Sequence, residues 1–284
     1  KLERKNSLIN VRDQFRFLLS FFIAVIFFAF TYSFLGNLIF SNNPVLILML
    51  SFLRLILSFI CATLIVCVLI KLKFVQKNSA FNSYLRPISN FINRYGKTAF
   101  YILLLIGLYR IADVVMGVVA NIFYLEKGYN IKEIATYSKF FGVFATIAGG
   151  IIGGYTAIKY GTIKSLFFGA LIAAASNLLF SWLALSETSI NLLIIVITAD
   201  NIASGFAGAA FVVYLSALTS IKFTATQYAL FSSLMLFLPK VLAGYSGSIV
   251  DYIGYSNFYI FTAIIGIPVL ILIIWISKIA PVKE

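Results

Sequence analysis

The stretch from Thr98 to Leu125, TAFYILLLIGLYRIADVVMGVVANIFYL, decides the fold class of this 284-residue chain. Its only charged side chains are Arg110 and Asp113. A bilayer core about 30 Å thick is crossed by about 20 apolar residues in a helix. The stretch is therefore predicted to be a membrane-spanning helix.

Seven further stretches have the same character, with short polar breaks between them. The strands of a membrane barrel would be about half as long, so helices are predicted throughout. The eight predicted spans are Phe17–Phe40, Val45–Ile70, Thr98–Leu125, Ile134–Ile158, Ile163–Leu185, Ile190–Leu215, Thr226–Ile249 and Phe258–Ile276. The fold class is thus an all-α polytopic membrane bundle, in which two helices precede six.

The composition excludes several classes of protein. The chain is 62% hydrophobic and 11% charged, against about 25% charged in an ordinary soluble domain. It has no histidine and none of the common catalytic or phosphate-binding motifs, so we expect neither an enzyme nor a metal or cofactor site. The net charge of +13 comes from bases that flank apolar spans, which favours a membrane lipid partner over nucleic acid.

The distribution of basic residues predicts the orientation of the spans, because Lys and Arg near helix ends resist translocation. Lys127 and Lys132 are the two bases predicted for one side, and the other side carries most of the remainder. Both ends of this chain are therefore expected in the cytoplasm.

The longest polar stretch divides the chain into three parts. Residues 1–70 are predicted to form a two-helix unit, residues 71–97 a basic cytoplasmic linker, and residues 98–284 a six-helix unit. Pro87 could open a short amphipathic helix on the anionic inner leaflet. An ordinary linker without lipid specificity is the alternative.

Ionisable residues inside the spans each call for a partner or a function, because a charge at the centre of a membrane helix costs at least about 2.5 kcal/mol. Arg110 and Asp113 share a helix face and could form a structural ion pair. In the alternative reading Asp113 carries a proton and Arg110 contacts an anion. Arg54 could reach the membrane surface if its helix starts late. The remaining positions are Asp200, Lys240 and, about one turn into its helix, Lys139.

Small residues follow Asp200 and Asn201, and they permit either close helix packing or a cavity that these two polar side chains would line. A second set of small residues predicts close packing by two pairs on adjacent helix faces, Gly149 with Gly153 and Gly150 with Gly154. Thr224 and Gln227 have the spacing of a helix capping box. A direct ligand role for Gln227 is the alternative.

Two resemblances accompany these patterns. The segment Gly154–Lys164 resembles the signature loop of the major facilitator superfamily through Gly154, Lys159, Gly161 and Lys164, although Ile158 stands at its acidic position. A narrower resemblance extends over about residues 87–280. It is to the C-terminal half of AmpG-type muropeptide permeases, with Phe17–Ile70 similar to the extra central helix pair of that family. The phrases that carry it are Leu108–Asp113, Ala145–Gly150, Ala175–Asn177, Ala209–Leu215 and Phe223–Leu230.

This second resemblance implies a bacterial inner-membrane importer of anhydro-muropeptides for peptidoglycan recycling, driven by the proton gradient. The residues it implies for the substrate and proton pathway are Tyr109, Arg110, Asp113, Lys139, Asn201, Gln227 and Lys240, to which the position of Asp200 adds a further candidate. A facilitator binds its substrate between two halves. We therefore expect that an N-terminal six-helix half was cut from this sequence, lost, or supplied by another chain. The alternative is a partner-dependent membrane component with no transport of its own.

Overall fold

The computed structural model describes residues 11–37, 44–74 and 85–279, and within these ranges the regular structure is entirely helical. A π-helix, Ala135–Phe141, and a 3-10 turn, Ile221–Phe223, lie between α-helices. The α-helices are α1 Val11–Gly36, α2 Pro44–Lys71, α3 Arg86–Tyr95, α4 Thr98–Leu108, α5 Ile111–Glu126, α6 Ile131–Ile134, α7 Gly142–Tyr160, α8 Thr162–Leu185, α9 Ile190–Leu218, α10 Thr224–Ala243, α11 Ser246–Ile264 and α12 Ile267–Ile279.

By length and composition, the described residues contain eight helical stretches that could cross a membrane. They are Phe15–Gly36, Met49–Lys71, Thr98–Glu126, Ile131–Tyr160, Thr162–Leu185, Ile190–Leu218, Ile221–Ala243 and Ser246–Ile279. The prediction of an all-α polytopic membrane bundle is confirmed. The chain divides into two compact units, residues 1–89 and 90–284.

The first unit contains the hairpin of α1 and α2. Phe28 and Phe59 meet edge to face across it, with ring centroids 4.9 Å apart. The expectation that α2 starts late enough for Arg54 to reach the membrane surface is wrong. The helix already begins at Pro44, and the Arg54 side chain is bound by α1. Its Nε donates to the carbonyl of Tyr32 at 2.6 Å, and its guanidinium lies over the Tyr32 ring. This partner offsets the cost of the intramembrane charge.

In the second unit a glycine turn lies within the helical stretch Ser246–Ile279 and separates the last two spans predicted from the sequence, Thr226–Ile249 and Phe258–Ile276. Gly254 lies inside α11 with φ 78° and ψ 162°, which is not helical and which favours glycine. Before it, Ser246 donates to the carbonyl of Val115. After it, Tyr255 packs on Phe123 while α12 returns to place Trp275 on Tyr101. The contacts thus move from Val115 to Phe123, toward the C-terminal end of α5, and then back to Tyr101 in α4. The chain therefore reverses direction at Gly254, inside the polar break expected from the sequence.

These reversals give the second unit two ends. The basic end carries Lys97, Lys159, Lys164, Lys222 and Lys278, and the opposite end carries Glu126, Lys127, Lys132, Glu133, Glu187 and Asp251. At the basic end α3 packs on the bundle through Phe91, whose ring lies 4.9 Å from that of Phe231. Arg94 of α3 also donates to the carbonyl of Leu218. The helix near Pro87 is therefore present and its second half is docked on protein.

The closest helix pair in the second unit is α7 with α9. A Cβ on Gly149 would overlap the backbone of Ile202, and one on Gly153 would overlap that of Phe206. A Cβ on Gly205 would in turn overlap the backbone of Thr146. Gly150 has only ordinary contact with Gly205, and Gly154 has no neighbour within 4 Å. Of the two predicted pairs, Gly149 with Gly153 therefore forms the tight contact.

Candidate functional site

An interruption of the helix positions the central charged residue. Tyr109 and Arg110 separate α4 from α5, and Arg110 adopts φ −94° and ψ 11°, outside the helical range. Arg110 is about 18 Å along the axis from Thr98 at 1.5 Å per residue, which is near the middle of its span. The side chain therefore lies at the depth where a charge is most costly.

Arg110, Asp113 and Ser204 form the charged cluster. Arg110 pairs with the Asp113 carboxylate one turn along α5 and also contacts the Ser204 hydroxyl of α9 at 3.1 Å. Ser204 itself lies 3.5 Å from Asp113. The Arg110 and Asp113 side chains are 22% and 16% exposed, so the pair is partly open. A Cβ on Gly208 would stand 3.2 Å from Arg110, and its absence leaves room for the guanidinium.

Asp200 lies beside this cluster and faces α8. Its Oδ1 accepts a hydrogen bond from Ser176 at 3.2 Å, and Asp113 and Arg110 are close enough to act on it electrostatically. The next residue of α8, Asn177, is fully buried and donates from Nδ2 to the carbonyl of Ala112. Its Oδ1 has no hydrogen-bond partner among the described residues.

Asn201 points to a different neighbour, α7. Its Oδ1 accepts from Thr146 at 2.9 Å, and its Nδ2 donates to the carbonyl of Ile197 in its own helix. Gly142 of α7 lies directly against the amide, where a Cβ would be 3.1 Å away. The structure therefore brings Asn201 into a helix contact, one face away from Asp200.

Tyr109 is buried in packing on the α8 and α9 side. Its ring stacks on Phe211 at 4.3 Å, and its hydroxyl donates to the carbonyl of Leu166 at 3.1 Å. A Cβ on Gly169 would crowd that hydroxyl. Tyr109 thus holds in place the interruption between α4 and α5 next to Arg110. Its hydroxyl is already hydrogen-bonded to the backbone carbonyl of Leu166.

Two lysines of the predicted pathway are exposed in the second unit. Lys139 lies in the π-helix between α6 and α7, and Lys240 follows the buried Pro239 in α10. Neither forms an ion pair with another residue in the described part of the chain. Both are therefore free to present a positive charge.

The capping box predicted at Thr224 and Gln227 is wrong. Thr224 is already the first residue of α10, and its hydroxyl donates backward to the carbonyl of Ser220. Gln227 is buried, accepts from the Ser220 amide at 2.7 Å and contacts Asn90 of α3. It lies about 20 Å along the helix from Lys240. The structure therefore places Gln227 at the basic end, away from the charged cluster.

The loop that resembles the facilitator signature is a tight turn between α7 and α8. Gly161 has φ 91°, which favours glycine. Lys159 lies over the rings of Tyr155 and Tyr160, and both Lys159 and Lys164 are exposed. Ile158 is exposed as well, and no acidic side chain stands there to pair with these lysines.

At the opposite end a buried tyrosine joins two loops. The Tyr129 hydroxyl donates to the Ser189 carbonyl at 3.0 Å, and Lys127 donates to the carbonyl of Ala184. Burial raises the pKa of Tyr129 above its ordinary value, helped by Glu133 and opposed by the Ser189 hydrogen bond. This end of the bundle is therefore tied together by hydrogen bonds.

Ser176 and Asn177 belong to one of the phrases that carry the AmpG resemblance, but the sequence did not predict their place beside the charged cluster because neither side chain is charged. Ser176 and Asn177 interrupt an apolar run of α8, and that interruption is the signal that could have revealed them. Tyr259 gives no comparable signal, because tyrosines are common along the chain. Among the described residues no group of His, Cys, Asp and Glu could hold a metal ion.

Comparison with known proteins gives a consistent set of relatives. No protein-family model matches the chain. A protein of Rickettsia conorii named "Putative transporter AmpG 4" is 31% identical over 207 residues, which is 73% of this chain and 50% of that protein. The chain is a homologue of AmpG proteins. "Putative transporter AmpG 1" of Rickettsia bellii is 37% identical over 67% of this chain and 47% of its own length. "Putative transporter AmpG 2" of Rickettsia prowazekii is 30% identical over 76% of this chain and 53% of its own length.

These AmpG relatives confirm the resemblance stated from the sequence. The chain spans about half the length of the curated relatives that it matches. Together with the eight apolar helical stretches, the similarity identifies a multi-pass membrane protein.

Proposed function

We propose that this chain is the C-terminal half and central helix pair of a proton-driven importer of anhydro-muropeptides. The observation that carries the proposal is the charged cluster of Arg110, Asp113 and Ser204, which is partly exposed and lies near the middle of its span. The names of the AmpG relatives supply the transporter class. The substrate follows from the family resemblance and from the chemistry of the cluster.

The cluster suits a substrate with carboxylates, as the peptide part of a muropeptide has. An arginine binds a carboxylate through two parallel hydrogen bonds. Arg110 now pairs with Asp113, and its Nε has no partner within the described residues. Lys139 and Lys240 add two positive charges without acidic partners in the same part of the chain. The positive charges of Arg110, Lys139 and Lys240 thus outnumber the one carboxylate, Asp113, that forms an ion pair with any of them among the described residues.

Coupling follows if the proton and the substrate use the same guanidinium. When Asp113 takes up a proton, it loses the charge that holds Arg110, and Arg110 can turn to a substrate carboxylate. When Asp113 releases the proton, the internal pair forms again and displaces that carboxylate. Asp113 is then the proton carrier and Arg110 the anion contact.

We further propose that the basic end faces the cytoplasm of a bacterial inner membrane, since basic loops resist translocation. Transport by rocking of two bundles needs a second wall, so an N-terminal six-helix half is the proposed partner. A membrane component without transport of its own is the competing function.

Uptake of labelled anhydro-muropeptide into proteoliposomes with an acidic exterior tests the proposal. We expect no uptake by this chain alone and uptake when an N-terminal half from an AmpG relative is co-expressed. The Asp113→Asn variant should insert normally and lose the dependence of uptake on the proton gradient. Unchanged gradient-dependent uptake in that variant would limit Asp113 to a structural role. Absence of uptake in every combination would favour the component without transport.

A further inference from the structure

Polar side chains continue from the charged cluster toward the opposite end of the bundle, through the interior and between α5, α8 and α11. They begin at the exposed Glu126, whose carboxylate lies close enough to the Tyr255 side chain to act on it electrostatically. Tyr255 and Tyr259 lie one helical turn apart on α11 with ring centroids 6.3 Å apart. The Tyr259 side chain is fully buried between Phe123 and Phe180.

The position of Tyr259 is unusual because its hydroxyl has no hydrogen-bond partner within the part of the chain that the structure describes. Most buried polar atoms are paired, and an unpaired one calls for an explanation such as a water or a functional role. Asp200 and Tyr124 lie close enough to the Tyr259 hydroxyl to act on it electrostatically. The hydroxyl therefore stands between the Tyr255 end and the Asp200 carboxyl.

A second unpaired atom lies one turn deeper. The contacts of α8 with α11 and the turn after it run antiparallel, from Ser181 on Ser256 through Phe180 on Tyr259 to Ala174 near Gly266, which follows α11. That register puts Asn177 one turn deeper than Tyr259 and next to Ser176, which donates to Asp200. The Asn177 Oδ1 is buried and also lacks a partner in the described residues. Buried water is usually held by such atoms.

We propose that Tyr255, Tyr259 and Asn177 form, with water, a proton route from Glu126 at the opposite end to Asp200 beside the charged cluster. A proton from the aqueous phase adds to the Glu126 carboxylate. Each hydroxyl or water along the route accepts a proton on its oxygen and donates its own hydrogen onward. Asn177 only holds water, and the Asp200 carboxylate gains the proton, so no tyrosine changes its charge.

The route gives protons access to the charged cluster from the Glu126 end, apart from the partly exposed Arg110 side chain that is the proposed substrate contact. Asp200 is surrounded by Ser176 on α8, by Asp113 and Arg110 on the α5 side, and by Tyr124 and Tyr259 toward the opposite end. Onward transfer of the proton from Asp200 to the neighbouring Asp113 carboxylate neutralises Asp113 and restores the charge of Asp200, which links the route to the Arg110–Asp113 pair. The inference rests on the proposed function for its purpose, but it concerns a step that needs no substrate.

Protonation of Asp200 can be measured directly on this chain in lipid nanodiscs. A stopped-flow pH step followed by infrared detection of the carboxyl C=O band reports the rate, and Asp200→Asn assigns the band. We expect Tyr259→Phe to slow the protonation by about 100-fold, the lower end of the contribution of a positioned proton-transfer group. Glu126→Gln should slow the same step.

Tyr214→Phe is the matched control. Tyr214 is also fully buried with an unpaired hydroxyl among the described residues, but it lies in α9 toward the basic end, near Tyr95. Its variant should keep the rate of the parent chain. Equal rates in the parent, Tyr259→Phe and Tyr214→Phe would overturn the route, and equal slowing in both variants would reduce the effect to a general loosening of the core. Failure of muropeptide uptake would remove the proposed function and leave this result standing.

Discussion

The ion pair of Arg110 and Asp113 makes a prediction that separates its structural from its functional role. In Asp113→Asn the arginine keeps its charge at mid-membrane depth, and its Nε is already without a partner in the described structure. The hydroxyl of Ser204 at 3.1 Å remains, and the new amide oxygen can still accept a hydrogen bond. Removing one partner of a buried ion pair costs about 3–5 kcal/mol.

Since the pair is partly open and Ser204 remains, we expect a loss near the lower limit, about 3 kcal/mol or roughly a 150-fold change in the unfolding equilibrium. The doubly neutral variant Arg110→Gln with Asp113→Asn leaves no lone charge and should recover most of that loss. Unfolding of the parent, the two single variants Asp113→Asn and Arg110→Gln, and the double variant in mixed micelles, followed by circular dichroism across a denaturant series, gives the four free energies of a double-mutant cycle.

The functional reading adds a second requirement to the same variants. If the pair is only structural, the doubly neutral variant assembled with its partner half should transport as well as the parent. If Arg110 binds substrate and Asp113 carries the proton, that variant should be stable and inactive. Equal stability of Asp113→Asn and the parent would refute the reasoning, because it would mean that the arginine does not depend on this carboxylate.

Two further predictions concern packing and pH. Gly205→Ala should destabilise the second unit by about 1–3 kcal/mol, because its Cβ overlaps the Thr146 backbone, whereas Gly154→Ala meets no neighbour and serves as control in the same unfolding assay. The raised pKa of Tyr129 in the folded chain means that the unfolded chain loses this proton first, near the ordinary tyrosine pKa of 10.0. The contribution of Tyr129 to stability is therefore present below that pH and declines above it. Tyr129→Phe should therefore lose less stability than the parent between neutral pH and pH values above 10, and parallel pH profiles would contradict this.

The sequence predicted the spans because their signal is long and local. Every span carries its own apolar run, and the turn at Gly254 lies inside the polar break read from Asp251 to Gly254. The pairing of Arg110 with Asp113 was likewise local, at helical spacing of three residues. Such features need no knowledge of which helices are neighbours.

The predictions that failed depend on which elements are neighbours in the fold, and the sequence of a single helix does not show this. Thr224 and Gln227 fit a capping box by spacing, but the 3-10 turn Ile221–Phe223 moves the start of α10 onto Thr224 itself. Gln227 then bonds Ser220 and Asn90, a residue far away in sequence. Arg54 similarly has its partner, Tyr32, in the other helix of the hairpin.

The small and polar residues of α9 lie on two adjacent stripes that face different neighbours. Asp200, Ser204 and Gly208 recur every four residues and so share a stripe, which faces Ser176 and the Arg110–Asp113 pair. Asn201 and Gly205 form the adjacent stripe, which packs on Thr146 of α7. A Cβ at position 208 would crowd a flexible guanidinium, whereas one at 205 would overlap fixed backbone. Gly205 is therefore required for packing, whereas the absence of a side chain at Gly208 leaves the space beside the Arg110 guanidinium.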